Sequence, residues 1–373
     1  MRTGTAHLPL HGGRAPRWLF QRMVRLAREI LRHLVAEHGP EGTLARLANP
    51  YWFQALGCVL GFDWHSSGVT TTATGALKEA LRGLEGELGL WAAGGKGAAG
   101  RRTPEEIRAA CERLGRDPAP LVRASRLAAQ VDGAALQDGY RIYHHAFFLT
   151  ASGHWCVVQQ GMDETEGMAR RYHWLSRRVR RFAQDPHTAV CCDRRGRVAL
   201  NLATAESAPA QEALVAIASQ PDREVRRALD RLPELALPRR HDLRLTDLDR
   251  RRLGSILLRT YERPPRDFEE LLLTPTLGPK ALRALALVAE LVHGTPASTR
   301  DPARYAFAHG GKDRTPYPVD RRVYDHTIEA LRQALGGAVA RARGLEPGER
   351  RAALRRLAAF ARRAGPGPAD GPL

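Results

Sequence analysis

Two runs rich in aromatic and branched side chains, Tyr140–Thr150 and His154–Gln160, flank the short linker Ala151-Ser152-Gly153. Such a pair, joined by three residues ending in glycine, reads as a β-hairpin. The periodicity elsewhere is almost entirely helical, so the hairpin decides the class: α+β, mostly α, with a small antiparallel sheet in the N-terminal half. Val190–Asn201 is expected to add a strand or two. Side chains alternate along a strand, so adjacent His144 and His145 are expected on opposite faces.

The helical expectations start at Pro16–His38, where Pro16 suits a helix start. Leu19, Met23, Leu26, Ile30 and Leu34 form one apolar stripe at helical spacing. Thr70-Thr71-Thr72 open a helix reaching about Arg82; hydroxyls at a helix start bind a phosphate or simply cap the helix. Trp91–Thr103, with Gly94, Gly95, Lys96, Gly97, Gly100, Arg101 and Arg102, reads as a flexible basic loop. It is not a P-loop, because the GxxxxGK[ST] order is absent. Thr103-Pro104-Glu105-Glu106 predicts a capping box, and Pro120–Val131 a further helix. Helices are also expected from Ala205 onward and at Thr246–Tyr261, Asp267–Leu273, Arg321–Ala334 and Gly348–Arg363. The expected organisation is an α+β domain over 1–203, a helical connector over 204–240, a helical domain over 241–340 and a basic helix with a disordered tail over 341–373.

A formal net charge of +18 favours polyanions, above all nucleic acid. Of 58 basic residues only four are lysines: Lys78, Lys96, Lys280 and Lys312. Where arginine has replaced lysine nearly everywhere, a retained lysine points to a need for a compact ammonium. There is no apolar run long enough for a membrane span, and Met1–Gly13 lacks the features of a secretory signal. Five cysteines (58, 111, 156, 191, 192) without a CxxC pair fit reduced thiols, so the expected location is the cytoplasm.

Phe268–Leu282 contains Leu273-Thr274-Pro275-Thr276-Leu277-Gly278-Pro279-Lys280 and resembles a helix-hairpin-helix motif. Pro275 and Gly278 take the Pro and second Gly positions, Leu277 is the apolar residue between them, and Lys280 opens the second helix. Thr276 stands where a glycine is usual. Such a turn aims amides and a helix N-terminus at a phosphate, so Thr276, Leu277, Gly278 and Lys280, with Lys96, Arg101 and Arg102, are the expected DNA contacts.

Downstream, Val319-Asp320 resembles the Val-Asp segment of helix-hairpin-helix DNA glycosylases. That resemblance implies a lysine nucleophile at Lys280 and a catalytic carboxylate at Asp320, across an interval lengthened by Thr295–Pro316. A metal-dependent nuclease is the favoured enzymatic expectation. Asp63, His65 and Asp138 would ligate Mg2+ or Mn2+ and His144 would join the catalytic set. A non-catalytic DNA-binding module working with a DNA-repair protein partner, and a small-molecule enzyme using His11, Asp63 and His65, are the alternatives. Leu8–Phe20, Asn49–Gly68, Asp138–Met162 and Gly310–Asp320 resemble the bacterial and archaeal domain-of-unknown-function family 763, a resemblance that implies no activity.

Overall fold

A computed structural model describes residues 15–60, 67–163, 167–192, 199–220 and 250–303. Arg17–Leu47 (α1) buries Met23, Ala27, Ile30, Leu31 and Leu34. Its first segment breaks at the expected place: Gly39 leaves helical geometry at φ 68°, and Pro40 opens a second segment. Leu26, assigned to the buried stripe by spacing, is exposed instead. Pro50–Val59 (α2) starts under Asn49, whose side chain accepts from the N–H groups of Tyr51 and Trp52 at 3.0 Å. Gly68–Leu81 (α3) and the single turn Glu85–Leu88 (α4) complete this helical layer.

Leu90–Lys96 forms a strand (β1), although its glycines read as a flexible loop. The physical reason is tertiary. A Cβ on Gly94 would lie 2.1 Å from the His145 carbonyl oxygen and 2.6 Å from Thr103 Oγ1, at φ 88°. Glycine is there for close approach, not for mobility. Ala98–Arg101 (α5), Thr103–Arg113 (α6) and Ala119–Gln130 (α7) follow. The capping box does not form: Thr103 Oγ1 donates to Gly100 O at 2.6 Å, and Glu106 accepts from Gly94 N–H at 2.7 Å and pairs with Lys78 at 2.5 Å.

Val131–Ala135 makes a π-helical turn into Leu136–Gln137 (β2). The predicted hairpin is Arg141–Thr150 (β3) and Trp155–Asp163 (β4). Met168–Leu175 (β5) was legible only as a basic aromatic stretch, and Ala189–Cys191 (β6) and Leu200–Asn201 (β7) are short. The main sheet runs β1-β3-β4-β5-β6, antiparallel throughout, while β2 pairs with β7.

The sheet is covered on both faces. Ala146, Phe148, Cys156 and Val158 pack against α1, α2 and α3. Phe147, Leu149, Trp155, Val157, Tyr172 and Trp174 face the other way, into a core shared with α6 and α7. Ala208–Ser219 (α8), Arg250–Glu262 (α9), Phe268–Leu272 (α10) and Pro279–His293 (α11) join that same core through residues such as Leu214, Ile256, Leu271 and Leu285. Residues on both sides of 203 contribute to that core. Among the described residues no helix is long and apolar enough to cross a membrane.

Candidate functional site

The sheet carries polar doublets on successive strands: His144-His145 on β3, Gln159-Gln160 on β4 and Arg170-Arg171 on β5. Alternation sends one member of each to either face. The register then aligns Lys96, His144, Gln160, Arg171 and Cys191 as cross-strand neighbours from β1 to β6, on the face under α2 and α3. Adjacent cross-strand side chains are close enough to interact, so this row is one polar stripe through an otherwise apolar layer.

Buried polar groups are tolerated when each has a partner. Gln160 accepts from Thr70 Oγ1 and donates to Ser67 O at 2.9 Å and to the Tyr143 hydroxyl. Arg171 donates to Gln54 Oε1 at 3.1 Å and to His173 Nε2 at 2.9 Å. The threonines of α3 do not cap it. Thr71 donates to Gly68 O, and Thr74 donates back to Thr70 O at 2.7 Å.

His144 is the exception in the row. Thr74 has given its proton to Thr70, so at 2.9 Å its oxygen accepts from His144 Nε2–H. In neutral imidazole the lone pair is then on Nδ1, which is buried and has no hydrogen-bond partner among the described residues. Burial first, then His145 and Lys96, push the His144 pKa down to about 3, so the ring is neutral near pH 7. A cavity of about 70 Å³ between α3 and the β1–β3 edge is lined by His144, Thr71, Thr74, Lys78, Gly94 and Lys96.

The opposite face holds a second polar network. Gln159 Nε2 donates to Ala128 O at 2.9 Å and to Asp132, so its Oε1 accepts from His145 Nδ1–H at 2.7 Å. His145 Nε2 then accepts from Ser125 Oγ at 2.9 Å. The order Ser–His–amide matches the connectivity of an activated serine. Here, however, Ser125 is 3% exposed inside the core, so no substrate reaches it and the network is structural. Asp132 also accepts from Trp174 Nε1 at 2.9 Å and pairs with His187.

Asp138, an expected metal ligand, lies in this second layer. Arg170 and Tyr172 donate to its Oδ2 at 2.8 and 2.7 Å, and Tyr140 N–H donates to its Oδ1. Arg170 also holds Asp301 through both terminal nitrogens. The sheet thus puts Asp138 and His144 on opposite faces, and they do not share a site. Asp63, His65, His11, Lys312 and Asp320 lie outside the described residues, as do the expected helices 321–334 and 348–363. Among the described residues no three His, Cys, Asp or Glu side chains are grouped to hold a metal ion.

The segment read as a hairpin forms two helices, α10 and α11, joined by the turn 273–278. Thr276 takes φ 70°, in the left-handed region that favours glycine. Leu277 is buried, while Pro275, Thr276, Pro279 and Lys280 are exposed. Among the described residues no side chain caps the N-terminus of α11. Gln137 pins that end to β2, donating to Pro279 O at 2.7 Å and accepting from Arg283 at 2.6 Å. Lys96, Arg101 and Arg102 are exposed around the end of β1.

What sequence reading missed is the row itself. Its signal was visible, because three doublets of polar residues interrupt three apolar strands. Their alignment depends on a register that no local pattern encodes. Residues 4–319 match the family described as "Protein of unknown function (DUF763)". No curated protein and no solved structure matches the chain.

Proposed function

We propose that this chain, which belongs to the DUF763 family, binds the phosphate backbone of DNA through the α10–turn–α11 hairpin. One observation carries the reading: Thr276 is held at φ 70° in the turn. A non-glycine residue in that region costs about 1–2 kcal/mol. The fold keeps the turn geometry regardless, with Leu277 as its buried anchor. The result is an exposed helix start with no side-chain cap among the described residues and with Lys280 in its first turn. Its partial positive charge and its first amides suit a phosphate oxygen. The net charge of +18 supplies long-range attraction for the same polyanion. Contacts of this kind read no bases, so binding is expected to be independent of sequence.

Gly278 provides a clean test. Its φ is −121°, open to any residue, and a Cβ there meets nothing within 4 Å. Gly278→Val should leave the fold intact while blocking close approach of a phosphate. Fluorescence anisotropy on unrelated duplexes should show about tenfold weaker binding for all of them. Lys280→Gln should weaken binding uniformly and reduce the salt slope by about 1. Wild-type affinity in both variants would remove the hairpin from the interface.

The proposal extends to strand cleavage with Mg2+ or Mn2+ only through Asp63 and His65, and to glycosylase or lyase chemistry only through Lys280 with Asp320. Denaturing gels of labelled single-stranded, duplex, branched and base-damaged DNA, with Mn2+ or EDTA, test both. Cleavage lost with EDTA and in Asp63→Asn supports the first; borohydride trapping lost in Lys280→Gln supports the second. No product on any substrate leaves a binding module.

A further inference from the structure

We infer that the cavity between α3 and the β1–β3 edge is a binding site for a phosphate monoester, held by the Lys96 ammonium and hydrogen-bonded through one proton to His144 Nδ1. The cavity lies on the opposite side of the sheet from the core that carries the hairpin, and the inference does not depend on DNA binding. Its roughly 70 Å³ is several times the about 10–15 Å³ that a single water requires. Two of the four lysines in the chain line it.

The lining dictates the ligand chemistry. Lys96 makes no ion pair among the described residues, and its ammonium lies 5.7 Å from the centre of the Tyr143 ring. Lys78 is already neutralised by Glu106, and it donates to Gly94 O at 2.8 Å. The net charge presented is therefore positive and resides on Lys96, which calls for an anion. His144 Nδ1 imposes the second condition. Its tautomer is set by Thr74, so it presents a lone pair and needs a partner bearing a proton. A phosphate monoester meets both conditions, because its second pKa near 6 leaves an O–H available around neutral pH. A phosphodiester has no such proton and would face the lone pair with another lone pair. The site thus selects a terminal phosphate over an internal one. Thr71, half-buried on α3, places a further hydroxyl in the lining.

The titratable and polar groups around His144 are Lys96 from β1, Tyr143 beside it on β3, Gln160 from β4, and Thr74 with Lys78 from α3, with His145 next in the chain but on the opposite face. Among the described residues none of them is hydrogen-bonded to Nδ1. Burial keeps both histidines neutral by lowering their pKa, and with Nδ1 left without a donor among the described residues the proton arrives with the ligand. Binding of the monoester should therefore weaken by up to about tenfold per pH unit above its second pKa.

Calorimetry with inorganic phosphate, monomethyl phosphate and dimethyl phosphate tests this on the full chain. We expect saturable binding of the first two, none of the third, and weakening from pH 6.5 to 8.5. Lys96 is exposed, so Lys96→Met should keep the fold, checked by circular dichroism, and lose about tenfold or more in affinity. In the wild-type protein, monomethyl phosphate should shift the His144 Nδ1 signal in a 15N-histidine spectrum, a readout that needs no variant. Gly278→Val should bind monomethyl phosphate normally, which separates this site from the hairpin. No saturation at about 10 mM, equal binding of dimethyl phosphate, unchanged affinity in Lys96→Met, or an unmoved Nδ1 signal would each overturn the assignment.

Discussion

Replacing Arg170 by Met is the most direct test of how the sheet and the hairpin segment are held together. Arg170 is 2% exposed. Its Nη1 lies 2.8 Å from Asp138 Oδ2 and 2.9 Å from Asp301 Oδ1, and its Nη2 lies 2.8 Å from Asp301 Oδ2. The guanidinium also stacks 4.5 Å above the centre of the Tyr140 ring. Met fills similar space without charge and leaves two buried carboxylates facing each other. Breaking a buried pair from one side costs about 3–5 kcal/mol, because the remaining charge stays desolvated. With two carboxylates stranded, the upper end applies. Burial already raises the Asp138 pKa, with Arg170, Tyr172 and Tyr140 pulling it back. Without Arg170 the folded form holds carboxyl protons more tightly than the unfolded form does. Acid therefore favours the folded variant relative to wild type, and the deficit shrinks as pH falls. Urea denaturation of both proteins at pH 7.5 and pH 5 should show a loss of about 5 kcal/mol at the higher pH and a smaller one at the lower. A deficit under about 1 kcal/mol, or one that grows on acidification, would refute the reasoning.

Gly94→Ala should cost about 3 kcal/mol or more, since the new methyl would meet the His145 carbonyl at 2.1 Å on a backbone at φ 88°; thermal melting reads the loss, and a wild-type midpoint would mean β1 is misplaced. Thr276→Gly should stabilise the chain by about 0.5–1 kcal/mol in urea, by relieving the left-handed threonine. It should also leave DNA affinity equal or stronger; a clear destabilisation would show that the threonine side chain holds the turn. His144, with its pKa pushed down to about 3, should show no NMR titration between pH 5 and 8 in the ligand-free protein. Its unfolded form takes up a proton near the ordinary value of 6.5, so its contribution to stability is lost as pH falls from there toward about 3. A midpoint near 6.5 would contradict the buried neutral ring.

Features carried by neighbours in the chain were readable from residue order alone. The end of the first helical segment at His38 follows from Gly39-Pro40. The β3–β4 hairpin follows from two branched runs around Ser152-Gly153, and α10–turn–α11 follows from Pro275, Leu277 and Gly278. Each rests on backbone preferences acting over a few residues, and these survive into the folded state. The antiparallel sheet within a mostly helical chain was legible for the same reason.

Features that depend on what lies across space were not. The glycines of β1 have the composition of a loop, and only the His145 carbonyl beside Gly94 makes them a strand. Arg170 and Arg171 read only as part of a basic aromatic stretch, because nothing near them in the chain could neutralise or solvate them in a core. Asp301, 131 residues from Arg170, and Gln54, 117 residues from Arg171, supply that environment only after folding. The same register that buries the arginines separates Asp138 from His144 and brings Lys96 beside His144. A strand's alternation says which residues share a face, but pairing partners are chosen by the packing of two helical layers against the whole sheet, a tertiary free energy that no local pattern contains.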